Sequence, residues 1–360
     1  MVALNAYSPL DRFVHRIAFA SPGIQLAASD MEDSLFGRDV APVTMGAPIF
    51  VTSLPRAGTT ILLTALASVP GLATHLYRDM PFVMAPLLWS RLSGRFRKPA
   101  TLQERAHGDG IAVGYDSPEA FEEVIWRAFW PDHFDADGID LWTAVDARAE
   151  ARDFMARHFR KVVALRCRGA ARAGRYISKN NGNIARLDLL PALFPEATIL
   201  VPVRRPLDHA ASLHRQHMNF LKRHAEDPFT RRYMADIGHY EFGRLHRPIR
   251  FEGLDVLLEG LTPGDLDYWL AYWIAAFEHV RAQRTRVHLI AFEDLGRRGP
   301  AVAARLCAWL DLDPALASGI GAHFRPAPAP PPAVQAHRSA LRDRAEALYG
   351  GLIADAVCRR

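Results

Sequence analysis

Short apolar runs, each closed by turn-forming residues and followed by a stretch with helical spacing, recur along the chain. The clearest is residues 48 to 60, PIFVTSLPRAGTT, which runs into ILLTALASV. An apolar run ends in Thr52 and Ser53, a proline and an arginine follow, and a glycine and two threonines open the next segment. That order predicts strand, tight loop and helix. ATHLYRDMPF reads as a short strand entering a loop, and residues 82 to 92 as a packed apolar segment. SPEAFEEVIWRAFW predicts a helix with Ser117 as its cap and Pro118 at its first position. Residues 150 to 160 predict a helix. The next run predicts strands at KVVALRC and RYISKNN, a helix at IARLDLLPALF and a strand at ATILVPVRRP. Helices follow over 208 to 225 and in DYWLAYWIAAFEHV. A strand at VHLIAFEDL and a helix at PAVAARLCAWLDL complete this series. The strip Trp269, Tyr272, Trp273 and Phe277 has helical spacing and reads as core.

Apolar strands alternating with helices imply parallel pairing through crossovers, with both faces buried. The expected fold is therefore α/β, a parallel sheet in three layers (α/β/α). Residues 1 to 40 read as an N-terminal extension, with a turn or two of helix at VHRIAFA and a polar connector at ASDMEDSLFG. Residues 41 to 325 form the main domain. The segment from 95 to 114 reads as a polar surface excursion. The PAPAPPP run at 326 to 332 leads as an extended connector into a terminal helix over 336 to 357, which packs on the domain.

Composition narrows this only modestly. The 360 residues are 49% hydrophobic and 23% charged, which is ordinary for a globular protein with a substantial core. The formal charge of +5 is scattered, which favours an anionic ligand over nucleic acid. Lysines occur only at 98, 161, 179 and 222, and this arginine bias suggests a GC-rich bacterial genome. Lys98, Lys161 and Lys222 read as surface residues. Three cysteines without metal-type spacing point to a reducing cytoplasm and to no metal site. No signal peptide or membrane-spanning run is expected.

The loop at 54 to 60 carries the first chemical signal. A helix that starts at a glycine-containing turn presents backbone N–H groups and the positive end of its dipole to an anion. Gly58 allows close backbone approach, Ala57, Thr59 and Thr60 add amides and hydroxyls, and Arg56 adds a guanidinium fork. A plain strand-to-helix turn capped by threonines has the same pattern. A second signal lies in ATILVPVRRPLDHAAS, where Arg204 ends a strand and Ser212 falls about two turns into the following helix, so that both can converge on one phosphate.

Together, LPRAGTT, the Arg204 and Ser212 pair, the SKNNGNIARLDLLPALFPEATILVPVRRP stretch and the VHLIAFEDLGRRGPAVAARLCAWLDL stretch resemble the sulfotransferase family. Members use 3′-phosphoadenosine 5′-phosphosulfate (PAPS) as donor and release adenosine 3′,5′-bisphosphate. The resemblance spans roughly residues 47 to 325 and is nearest to bacterial members with PRSGTT-type loops. It implies a P-loop NTPase-like sheet, with residues 56 to 60 at the 5′-phosphosulfate and Arg204 with Ser212 at the 3′-phosphate. Arg56 stands where animal cytosolic members carry a lysine. The resemblance further implies that Lys179 reaches the bridging or sulfuryl oxygens, and that Asp79 is the general base for a small-molecule or saccharide acceptor. Glu119, Glu122 and Glu123 are rival carboxylates, and His75, His209, His214 and His217 are further candidates. A P-loop kinase or hydrolase and a non-catalytic PAPS-binding protein are the alternatives. The missing G-x-x-x-x-G-K-[ST] motif counts against the kinase.

Overall fold

The computed structural model describes residues 9–93, 103–104, 112–113, 117–118, 121–167, 173–325 and 339–358. Most of the 95 to 114 excursion, Glu119 and the proline-rich connector lie outside the described residues. The strands are β1 Thr44–Met45, β2 Ile49–Val51, β3 Leu72–Ala73, β4 Gln103–Glu104, β5 Ala112–Val113, β6 Ala173–Lys179, β7 Thr198–Val203 and β8 His288–Ala291. Apart from the small antiparallel pair β4–β5, all pairing is parallel. β6 lies beside β2, β2 beside β7 and β7 beside β8, while β1 and β3 also pair with β6.

Strand periodicity divides the core between the two faces of this sheet. Phe50, Tyr176, Ile199, Val201 and Leu289 enter one apolar cluster, whereas Ile49, Val51, Ile177, Leu200 and Ile290 enter another. The helices Ala149–Arg166, Leu266–Ala282 and Ser339–Cys358 cover the first face through residues such as Phe159, Phe277 and Leu352. Thr59–Ala67 and Gly299–Trp309 cover the second through Leu62, Leu66, Val302 and Leu306. The result is the expected three-layer parallel α/β fold. Trp269, Tyr272, Trp273 and Phe277 are all buried, as their spacing predicts.

Four local expectations change. KVVALRC is the end of the long helix Ala149–Arg166 and not a strand. Val162 and Val163 are fully buried there, and a short apolar run does not distinguish a buried strand from a buried helix turn. ASDMEDSLFG belongs to the helix Pro22–Val40, which follows a first helix, Pro9–Ala18. Its polar residues Gln25, Ser29 and Glu32 face inward, where Lys161 lies 2.6 Å from Asp33 and donates to Ser29 Oγ at 2.8 Å. Lys161 is therefore a buried residue rather than a surface one. The SPEAFEEV helix starts later than predicted, at Glu123, because Pro118 instead bridges to Leu76.

Parallel register brings the strand ends to one rim. Val51 lies opposite Lys179 and Leu200, and Val203 lies opposite Ala291. Every segment with a chemical signal leaves the sheet at this edge, where open α/β sheets bind ligands.

Candidate active site

The loop after β2 is shaped by two left-handed residues. Arg56 has φ 73° and Gly58 has φ 93°, and Gly58 caps the helix Thr59–Ala67. Only glycine suits the second position, since a Cβ on Gly58 would sit 2.7 Å from the Phe292 ring. Sequence-distant groups hold the loop from behind. Ser53 Oγ donates to Pro202 O at 2.7 Å, and His209 Nε2 donates to Pro55 O at 2.7 Å. Burial, assisted by the charges of Arg204 and Arg56, pushes the His209 pKa down to about 3. His209 is thus a neutral donor bracing the loop.

The two anion-binding signals meet. Arg204 Nη1 donates to Arg56 O at 3.0 Å, and Arg56 Nε donates to Ser212 Oγ at 3.3 Å. The Arg204 guanidinium lies 4.8 Å from the centre of the Phe292 ring. Burial lowers the Arg204 pKa; Asp208 opposes this and the neighbouring Arg56 charge adds to it. The Arg56 charge thus disfavours that of Arg204, and an anion bound beside them offsets it. Glu293, from the helix Phe292–Arg297 directly after β8, accepts from Arg205 N at 3.0 Å and Tyr349 Oη at 2.7 Å. The late strand and terminal helix thereby fix the start of the helix Pro206–Glu226.

At the centre of the rim β6 ends in Lys179, and Asn180 and Asn181 follow it. Lys179 is buried, and strand alternation turns it to the face occupied by Ile177 and the helix Thr59–Ala67. Asn181 joins two elements: Thr59 Oγ1 donates to its Oδ1 at 3.3 Å, and its Nδ2 donates to Glu241 Oε1 at 3.2 Å. Beside it opens a cleft bounded by Pro55, Asn181, Leu213, Tyr240, Glu241 and Trp269.

The expected bases fall in different places. Asp79 is 2% exposed and does not line this cleft. Its carboxylate accepts from His75 Nδ1 and Leu76 N, each at 3.0 Å, and from Arg166. Burial alone would raise its pKa, but the His75 hydrogen bond and the Arg166 charge bring it below the ordinary value. The Asp79 carboxylate is thus buried and ion-paired to Arg166. Glu122 accepts from Trp126 Nε1 at 2.8 Å. Glu123 reaches the cleft but is held by both Arg186 terminal nitrogens, at 2.8 and 2.6 Å, and by Asn180 Nδ2 at 2.6 Å. Burial raises its pKa, yet these partners pull it below normal overall. His75 bonds to Asp79, His214 to Gly264 O, and His217 accepts from Gly243 N. Asn181 and Glu241 also line the cleft, and sequence reasoning did not single them out. Asn181 was findable from the strand-end rule, whereas Glu241 lies in a segment without a motif.

The sulfotransferase family profile matches residues 48–247, and the chain belongs to this family, whose reaction is sulfuryl transfer. The matched span carries the Arg56 loop, Lys179, Asn181, Arg204, Ser212 and Glu241. No curated protein matches the chain in sequence. Among solved structures, a sulfotransferase from Mycobacterium avium is 15% identical, covering 90% of this chain and 80% of its own at a TM-score of 0.47. One from Mycobacterium tuberculosis H37Rv is 16% identical, covering 96% and 86% at 0.48. A third, from Alicyclobacillus acidocaldarius, is 17% identical, covering 86% and 94% at 0.38.

Proposed function

We propose that this sulfotransferase uses PAPS as its donor, acts on a hydroxyl of a small-molecule or saccharide acceptor, and works in the cytoplasm. The observation that carries the reading is the joining of Arg56, Arg204 and Ser212 into one basic rim at the strand ends. A nucleotide with charge at both its 3′ and 5′ positions uses both halves of that rim.

In this reading Arg204 and Ser212 hold the 3′-phosphate. Arg56, with the amides and hydroxyls from Ala57 to Thr60, holds the phosphosulfate. The acceptor oxygen attacks sulfur in line, and the bond from sulfur to the bridging oxygen breaks. The electron pair leaves on the 5′-phosphate, where Arg56, Lys179 and the helix dipole stabilise it. Arg56 stays protonated, so it supplies charge and not a proton.

Thermal-shift titration tests the donor. Adenosine 3′,5′-bisphosphate is expected to raise the melting temperature, and ATP with magnesium to raise it far less. Equal or stronger stabilisation by ATP overturns the reading in favour of a nucleotide kinase or hydrolase.

A further inference from the structure

Resting on the sulfuryl-transfer reading, we propose that Glu241 is the general base, and that the cleft beside it takes a neutral hydroxyl compound with a flat apolar body.

The choice of base follows from the cleft's own chemistry. Among the described residues that line it, the carboxylates are Glu123 and Glu241. Glu123 is locked into a two-pronged ion pair with the buried Arg186. Glu241 instead faces a neutral amide, Asn181 Nδ2, and that side chain accepts from Thr59 in the first turn of the phosphosulfate-loop helix. The base is thereby joined through one amide to the element that holds the donor. Its backbone is fixed as well. His246 Nδ1 donates to Glu241 O at 2.7 Å, and Arg247 N donates to Tyr240 O at 2.9 Å. Burial and the nearby His217 push the His246 pKa down to about 4, so the ring is neutral and accepts from Tyr268 Oη through Nε2 at 2.8 Å.

The acceptor class follows from the wall. Leu213, Tyr240, Phe242, Ile249, Trp269 and Tyr272 line it. The polar tips of its aromatic residues are engaged by backbone: Trp269 Nε1 donates to Pro263 O at 2.9 Å, Tyr240 Oη to Ala235 O at 3.3 Å, and Tyr272 Oη accepts from Ile249 N at 3.1 Å. These residues therefore offer the acceptor mainly carbon faces and edges, beside the polar His239 and Arg247, and this suits a flat apolar body better than a hydroxyl-rich sugar. In the reaction the acceptor O–H proton passes to a Glu241 oxygen as the new O–S bond forms, and the bridging oxygen departs with the bisphosphate.

The test uses the full chain with PAPS and 2-naphthol as the neutral probe, against chondroitin as an anionic saccharide. Sulfation of 2-naphthol over chondroitin is expected. Glu241→Gln keeps the oxygen that meets Asn181, so binding of bisphosphate and of 2-naphthol should persist. Loss of a general base should lower kcat roughly 10²- to 10⁴-fold with the KM for 2-naphthol little changed, a split that a merely structural role would not produce. A wild-type protein that binds the bisphosphate but prefers chondroitin, or that neither binds nor sulfates 2-naphthol, overturns the acceptor class. Full turnover by Glu241→Gln overturns the base. Failure of the wild type to bind the bisphosphate at all overturns the underlying donor reading instead.

Discussion

At the scale of single residues, the proposed reading separates groups that would touch the donor from groups that hold the fold, and two substitutions tell them apart. Arg204→Ala removes a guanidinium from the basic rim together with its bond to Arg56 O. A hydrogen bond to a charged group is worth about 1.5–3 kcal/mol, so bisphosphate affinity should fall roughly 10- to 100-fold. Calorimetric titration checks this, and the melting temperature of the unliganded protein should change little by comparison. Asp79→Asn should do the opposite. It leaves Arg166 without its buried anion, and breaking a buried pair typically costs about 3–5 kcal/mol. A lower melting temperature with turnover per folded molecule retained is the expected outcome. A folded Asp79→Asn protein without turnover would restore Asp79 as the base.

At the scale of elements, the loop after β2 depends on a contact made from far along the chain. Gly58→Ala puts a Cβ on a left-handed residue and against Phe292, which itself stacks on Arg204. Backbone strain of this kind costs about 1–3 kcal/mol. Loss of bisphosphate binding with most of the fold intact is expected by titration and circular dichroism. Phe292→Ala in the same protein should restore binding only in part, because it removes the clash and not the strain. This junction also shows what was legible beforehand. Strand, loop and helix are consecutive in PIFVTSLPRAGTT, and Arg204 and Ser212 share one strand and the following helix, so local pattern and spacing suffice for them. KVVALRC failed because its valines are buried whether they form a strand or a helix turn. ASDMEDSLFG failed because its polar side chains face inward to a lysine 128 positions beyond Asp33. Glu241 was hidden for the same reason: its meaning comes from Asn181, which no spacing rule connects to it.

At the scale of the whole molecule, buried titratable groups shape stability against pH with opposite signs. Burial is the main cause holding His209 at about 3 and His217, His224 and His246 at about 4. The unfolded chain takes up these protons near 6.5. Their contribution is therefore complete above pH 6.5 and is lost as pH falls toward 4. Glu32 acts the other way. Burial raises its pKa from 4.5 to about 7, although the Leu88 amide and Lys161 favour its charged form. The fold thus holds a proton that the unfolded chain has already released. Glu32 stabilises most below pH 4.5, and that contribution disappears as pH rises to 7. Because Glu32 packs the helix Pro22–Val40 onto Lys161, its contribution acts where that helix meets the helix Ala149–Arg166. Glu32→Gln keeps an acceptor for Leu88 N, now at 2.6 Å from the carboxylate, and removes the titration. Its stability relative to wild type should therefore climb between pH 4.5 and 7 and level off above, as read from urea unfolding across that range. A difference that stays constant over the same range would show that Glu32 ionises alike in the folded and unfolded chains.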